Sequence, residues 1–242
     1  MLEVNQVYLG DCLNIMQSID DKSIDLILCD LPYQITNLAW DNLIPFDKLW
    51  AEYKRIRKDN AATVLFGQEP FSSALRLSNL EEFKYDWYWQ KERATNIMQL
   101  KRRPDKVIET ISVFYKEQCV YNPQMTKYEG KPRTNKVKDG KLGQLVDASL
   151  KKPHEYVDNG TRYPLQIQQF KRDILTSNLH PCQKPDMLLQ YLIRTYTNEN
   201  AIVFDSCAGS GSTLLAAKKL NRSYIGIEKE EKYYEIIKER LK

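Results

Sequence analysis

The stretch "AIVFDSCAGSGS", residues 201–212, opens with four apolar positions, meets an acid, and ends in a turn carrying two glycines. A short apolar run stopped by turn residues reads as a buried strand, and the helical spacing of apolar residues over 213–220 makes the next element a helix. A strand, a tight turn and a helix in succession are the unit of an α/β sheet. Gly209 and Gly211 let backbone N–H groups come close to a ligand at the start of that helix. Glu228 ends the following strand, 17 positions after Gly211, where an acid can accept hydrogen bonds from ribose hydroxyls. These features suit an adenosine-containing cofactor, the bland alternative being a plain glycine turn. Asp205 narrows the choice, since a carboxylate beside the turn repels a pyrophosphate and attracts a cation. Leu214 also stands where G-x-G-x-x-G requires its third glycine. S-adenosylmethionine, with its sulfonium and ammonium charges, fits better than a dinucleotide.

Outward from this unit, the spacing predicts strands over residues 4–9, 24–29, 61–66, 85–89, 109–115, 201–204 and 223–227. Helices are predicted over 12–19, 45–58, 71–80, 185–195, 213–220 and 232–241. The run 24–29 is apolar except for Asp25, as in a strand covered on both faces. Alternating strands and helices predict a mostly parallel twisted sheet with helices on both faces. Residues 116–176 show no sustained period, and loops of that length inside a domain are usually functional or disordered.

The chain has 242 residues, 42% apolar and 28% charged, enough for one full core carrying an insertion. No segment approaches the roughly 20 apolar residues that span a bilayer. The start, MLEVNQVYLGD, lacks the basic and apolar parts of a secretory signal, so a cytoplasmic protein is expected. Five scattered cysteines and two histidines suggest neither a disulfide framework nor a metal site. Formal charge is +4, yet residues 84–176 hold 19 Lys and Arg against 11 Asp and Glu. That excess fits a face that meets a polyanion, or merely a solvated surface.

A second stretch, "CDLPY" at residues 29–33, ends a strand in an acid, a proline-fixed carbonyl and an aromatic ring. Together with "HPCQKP" (180–185) and "FDSCAGSGS" (204–212), in that order, it resembles the β-group DNA amino-methyltransferases. The resemblance runs from Leu9 to Glu228 and lapses only in the middle insertion. It implies a Rossmann-like methyltransferase fold with permuted motif order, S-adenosylmethionine as cofactor and double-stranded DNA as partner. Asp30 and the Leu31 carbonyl would accept hydrogen bonds from the exocyclic amine of a flipped base, Pro32 would fix that carbonyl, and Tyr33 would stack on the base. Such an amine is a poor nucleophile because its lone pair is delocalised into the ring. Acceptors that favour a tetrahedral nitrogen restore its reactivity, with no covalent intermediate or metal required.

The resemblance further implies that Asp11 and Cys12 contact the adenine of the cofactor and Glu228 its ribose. Asp205, Ala208, Gly209, Ser210 and Gly211 would hold its methionine portion, and His180, Gln183 and Lys184 would close over that end. Leu31 and Cys182 depart from the family's usual proline and threonine. The leading Asp of DLPY favours the N6 amine of adenine, since the cytosine-N4 enzymes more often begin that motif with Ser. Residues 117–176 would recognise the target, with Lys101, Arg102, Arg103, Lys151 and Lys152 as candidate phosphate contacts and Asn96 beside the flipped nucleotide. Relatives in this family also form homodimers, though no stretch here marks an interface. The rival readings are an N4-cytosine enzyme, a catalytically silent DNA-binding partner, an RNA or protein-amide methyltransferase, and a nicotinamide-dependent oxidoreductase.

Overall fold

In chain order the computed structural model builds β1 (Gln6–Leu9), α1 (Cys12–Met16), β2 (Ile24–Cys29), α2 (Phe46–Ile56), β3 (Arg57–Gly67), α3 (Phe71–Ser78), β4 (Phe83–Gln90) and β5 (Ile108–Phe114). Four two-residue strands follow: β6 (Thr126–Lys127), β7 (Asn135–Lys136), β8 (Glu155–Tyr156) and β9 (Thr161–Arg162). The chain ends with β10 (Ile167–Gln169), α4 (Asp186–Tyr196), β11 (Ile202–Asp205), α5 (Ser212–Lys219), β12 (Ser223–Glu228) and α6 (Glu231–Arg240). The structure describes residues 2–34, 42–94, 100–130, 135–136, 155–156, 159–173 and 183–242. Two compact units result, one of Met1–Asn122 with Leu165–Lys242, the other of Pro123–Pro164.

The first unit is built on an eight-stranded sheet in the order β1-β12-β11-β2-β3-β5-β4-β10. Every pairing is parallel except those of β5, which runs against β3 and β4. Strand β2 lies at the centre, and its side chains alternate between two cores. Leu26 and Leu28 face α4 and α5 through Leu188, Leu192 and Leu214, whereas Ile27 and Cys29 face α1 and α2 through Met16 and Tyr53. Burial on both faces is why the run is apolar rather than alternating, save for the partly buried Asp25, which pairs with Lys58 at 2.6 Å. Each such side chain contributes about 1.5–3 kcal/mol by leaving water.

Two elements differ from the sequence expectation. Strand β3 starts at Arg57, directly where α2 ends, rather than at residue 61. Its polar first residues are held by partners far away in sequence: Arg57 pairs with Glu82 at 2.9 Å, both nearly fully buried. Strand β10, three residues long, adds itself to β4 at the sheet edge inside the stretch that showed no period. Residues 117–122 and 165–173 therefore belong to the first unit, and the second is shorter than the expected insertion. In the second unit β6 pairs with β9 and β7 with β8, and the Arg162 guanidinium lies 3.8 Å from the Tyr128 ring centroid. Among the described residues no helix is long and apolar enough to cross a membrane.

Candidate active site

Strands β1, β12, β11 and β2 are parallel neighbours, so their C-terminal ends open on one edge of the sheet, where ligands of open α/β sheets bind. Register sets Leu9 opposite Glu228, Asp205 opposite Gly226 and Phe204 opposite Ile27. The acids that follow or end these strands, Asp11, Glu228, Asp205 and Asp30, thus line one edge in that order. Asp11 caps α1, its Oδ1 accepting from the N–H groups of Leu13 and Asn14 at 3.0 and 3.3 Å. Cys12, the first residue of that helix, is buried.

The glycine turn between β11 and α5 is tightly constrained. Gly211 caps α5 at φ 77°, in the left-handed region, and a Cβ added there would stand 2.9 Å from the Ile237 side chain of α6. Arg240, also on α6, donates to the Ser210 carbonyl and reaches Ser212 Oγ at 3.3 Å. Two loop N–H groups are engaged internally: Gly209 donates to Glu228 Oε2 at 2.7 Å and Gly211 to the Ala208 carbonyl at 2.7 Å. Glu228 Oε1 accepts in turn from the Glu230 N–H at 2.8 Å. Burial pushes the Glu228 carboxyl up, and these backbone donors pull it part of the way back.

Asp205 is 3% exposed, and the donors it meets among the described residues are neutral, the Cys207 N–H at 3.1 Å and the side chains of Cys29 and Thr213. Burial pushes its carboxyl up to about 6, and nearby Asp30 adds to the rise. A buried acid answered by neutral groups favours a cation beside it. A pyrophosphate meets the opposite conditions here, with acids on the edge and loop donors already taken. The donor set therefore fits S-adenosylmethionine. Behind the loop the Cys207 thiol meets those of Cys12 and Cys29, and these contacts together with burial push it well above the ordinary thiol range.

The DLPY segment leaves β2 beside this loop. Leu31 is buried and Asp30 half-buried, while Gln34 just after Tyr33 takes φ 55°, in the left-handed region that residues other than glycine seldom adopt. The Tyr33 hydroxyl donates to Asp30 Oδ1. One side of the Tyr33 ring packs on Phe71 of α3, with centroids 4.8 Å apart. Lys184 Nζ donates to Asp30 Oδ2 at 2.7 Å and stands 2.7 Å from Glu109 Oε1. Lys91 Nζ lies 2.8 Å from Glu109 Oε2. Burial pushes Asp30 up, Lys184 pulls it down, and Glu109 pushes it up again. Burial opposes the Lys184 ammonium as well, but Asp30 and Glu109 outweigh it and hold Lys184 above its ordinary range.

The edge thus brings together Asp11, Cys12, Asp30, Leu31, Pro32, Tyr33, Asp205, the 208–211 loop and Glu228. Gln183 is half-buried beside Lys184, whose ammonium sits on the Asp30 carboxylate. Lys101, Arg102 and Arg103 are exposed. His180, Cys182, Asn96, Lys151 and Lys152 lie outside the described residues. Glu109 and Lys91 carried no signal in the sequence, since each is a single charge within or after a strand. An acid at the first position of the predicted strand "ETISVFY" was the only hint.

A family model for N6- and N4-directed enzymes, described as DNA methylase, matches residues 24–239. The chain belongs to this family. Relatives across its whole length include the type II methyltransferase M1.MboII of Moraxella bovis, 25% identical over 96% of this chain and 95% of its own. The DNA adenine methyltransferase YhdJ of Escherichia coli K12 is 27% identical over 99% of this chain and 83% of its own. Among solved structures, the M1.HpyAVI complex with SAM aligns with TM-score 0.65 at 26% identity, covering 98% of both chains. The cytosine-N4-specific PvuII methyltransferase shares the fold at TM-score 0.67 and 18% identity, over 99% of this chain and 87% of its own. Membership makes this chain a DNA methyltransferase.

Proposed function

We propose that the chain transfers a methyl group from S-adenosylmethionine to the N6 amine of an adenine flipped out of double-stranded DNA. The observation that carries this reading is the Asp30 carboxylate, held through both oxygens by Tyr33 and Lys184, at the end of the strand beside the glycine loop. Asp205, Glu228 and the 208–211 turn would hold the cofactor, which supplies an electrophilic methyl group on a sulfonium centre. Asp11 and Cys12 would meet its adenine, and Gln183 would lie over its methionine end together with His180.

The protein's own part is to bind and orient the amine. Each Asp30 oxygen keeps acceptor capacity beyond its present partner, and the Leu31 carbonyl, directed by Pro32, supplies a second acceptor. Two acceptors draw the amine hydrogens out of the ring plane and return the lone pair to nitrogen. The Tyr33 face away from Phe71 would stack on the base and offset part of the few kcal/mol that flipping costs. The leading Asp of DLPY supports adenine over cytosine, as does the likeness to a relative named as an adenine methyltransferase. Residues 117–176, which include the second unit, would read the target, and kinship with type II methyltransferases supports a modification role.

The test is transfer of labelled methyl groups to unmethylated DNA, followed by digestion and identification of the modified nucleoside. N6-methyladenine is the expected product. N4-methylcytosine would overturn the base assignment and keep the chemistry, and no label in DNA despite cofactor binding would overturn both.

A further inference from the structure

Among the described residues, Asp30, Lys184, Glu109 and Lys91 form a chain of alternating charge whose two middle members are buried, and the methyl-transfer reading uses only its first two members. Glu109 is 2% exposed and sits on β5, the reversed strand, between two ammonium groups at 2.7 and 2.8 Å. A buried carboxylate is costly unless something is gained from its position. Lys184 alone could neutralise Asp30, yet a lysine with four rotatable carbons is free to swing unless it is held elsewhere. Glu109 supplies that second hold, and Lys91, which also lies over the Trp89 ring at 4.9 Å, keeps Glu109 from drawing Lys184 away. The Lys184 ammonium faces the rings of Phe66 and Tyr33 as well, at 5.0 and 5.9 Å from their centroids.

We propose that Glu109 is a positioning residue for methyl transfer, clamping Lys184 so that its ammonium fixes the Asp30 carboxylate toward the target amine. This rests on the reading of Asp30 as the amine's acceptor. Lys184 favours the ionised carboxylate against the burial that pushes it up, whereas Glu109, an anion itself, opposes ionisation and acts by holding the ammonium in place. A protonated Asp30 would present one oxygen as a donor, facing an amine that needs acceptors. The charged and titratable groups that face the Asp30 carboxylate are Tyr33 on its own segment, Lys184 ahead of α4, Glu109 on β5 and Asp205 on β11, and those that face Glu109 in turn are Lys184, Lys91 after β4 and Lys106 ahead of β5.

The experiment is single-turnover methyl transfer to DNA between pH 5 and 9, with cofactor binding by equilibrium dialysis, for the intact chain and for Lys184→Met, Glu109→Gln, Glu109→Asp and the pair Lys91→Met/Glu109→Gln. Lys184→Met removes the cation beside Asp30, so the acid limb of the rate profile should move up by about one to three pH units. Glu109→Gln removes a neighbouring anion, so the limb should move down while the plateau rate falls about ten- to a hundredfold through loss of alignment. Cofactor affinity should stay within about twofold and Glu109→Asp should regain part of the rate. The paired variant keeps the charge balance, so it reports the clamp should Glu109→Gln fail to fold, and its plateau rate should fall as well. Profiles that coincide with the intact chain would overturn the proposal. So would a rate loss in Glu109→Gln that merely tracks weaker cofactor binding and is not regained by Asp. If Asp30→Ala transfers methyl groups normally, the reading of Asp30 itself fails, a different result from an unmoved profile.

Discussion

Three carboxylates stand at the ends of neighbouring strands of the same sheet, and they are held in two different ways. Asp30 is answered by side chains, the Tyr33 hydroxyl and the Lys184 ammonium, which reach it from a loop and from 154 residues away. Glu228 is answered by backbone N–H groups of the turns beside it, those of Gly209 and Glu230, and Asp205 by the Cys207 N–H together with the neutral side chains of Cys29 and Thr213 packed beside it. Backbone donors are fixed once the turn is fixed, so they suit a site that must hold the same cofactor in every cycle. Side-chain partners can be exchanged for a substrate group, so they suit the place where an amine must enter and be gripped. The difference separates a binding half from a reacting half within one edge of the sheet.

The largest effect should come from breaking the reacting half. Asp30→Ala should lower single-turnover methyl transfer by about 10²- to 10³-fold, the usual loss when a group aimed at developing charge is removed. Cofactor affinity, measured separately by equilibrium dialysis, should stay near that of the intact chain. Equal losses of both would mean that the two halves are a single unit and that the contrast drawn here is wrong.

The binding half should answer differently. Glu228→Gln looks conservative, yet both Glu228 oxygens accept from backbone N–H groups, 2.7 Å from Gly209 and 2.8 Å from Glu230. A glutamine offers one acceptor and turns its NH₂ toward the other donor. Leaving a buried donor unmade costs about 1–3 kcal/mol, which should appear as weaker cofactor binding and a lower melting temperature. The methyl-transfer rate at saturating cofactor should change little. A drop in that rate with unaltered affinity would move Glu228 into the reacting half.

The same contrast explains what the sequence made legible. Strand β2 lies where its apolar run predicts, at residues 24–29, because burial on both faces writes itself into every position but that of Asp25. The glycine turn was legible because its requirement is local: Gly211 has φ 77° and no room for a Cβ. Strand β10 was not, since three residues at a sheet edge with Ile167 exposed carry no alternation. The polar start of β3 was hidden for another reason, its Arg57 being satisfied by Glu82. Glu109 and Lys91 belong to this second kind, because a lone charge in a strand has meaning only once the fold brings up its partners. Local backbone demands can be read from the sequence; long-range charge pairing waits for the structure.

The smallest predicted effect concerns pH, and it separates the halves by sign. Burial pushes the Asp205 carboxyl up to about 6, above the ordinary aspartate range. The folded chain therefore holds this proton more tightly than the unfolded chain does. Stability from this group is intact at low pH, and the penalty sets in as pH rises past the unfolded value and is complete above about 6. A cationic cofactor needs the ionised form, so its affinity should move the other way. Between pH 5 and 7.5 binding should tighten by about tenfold as Asp205 loses its proton, and Asp205→Asn should remove most of that dependence while weakening binding at the upper pH. The measurement is cofactor binding by equilibrium dialysis across that range in the absence of DNA. A flat profile for the intact chain would mean that Asp205 does not face the cation, and the cofactor's charge would have to be met by Asp30 instead, merging the two halves into one.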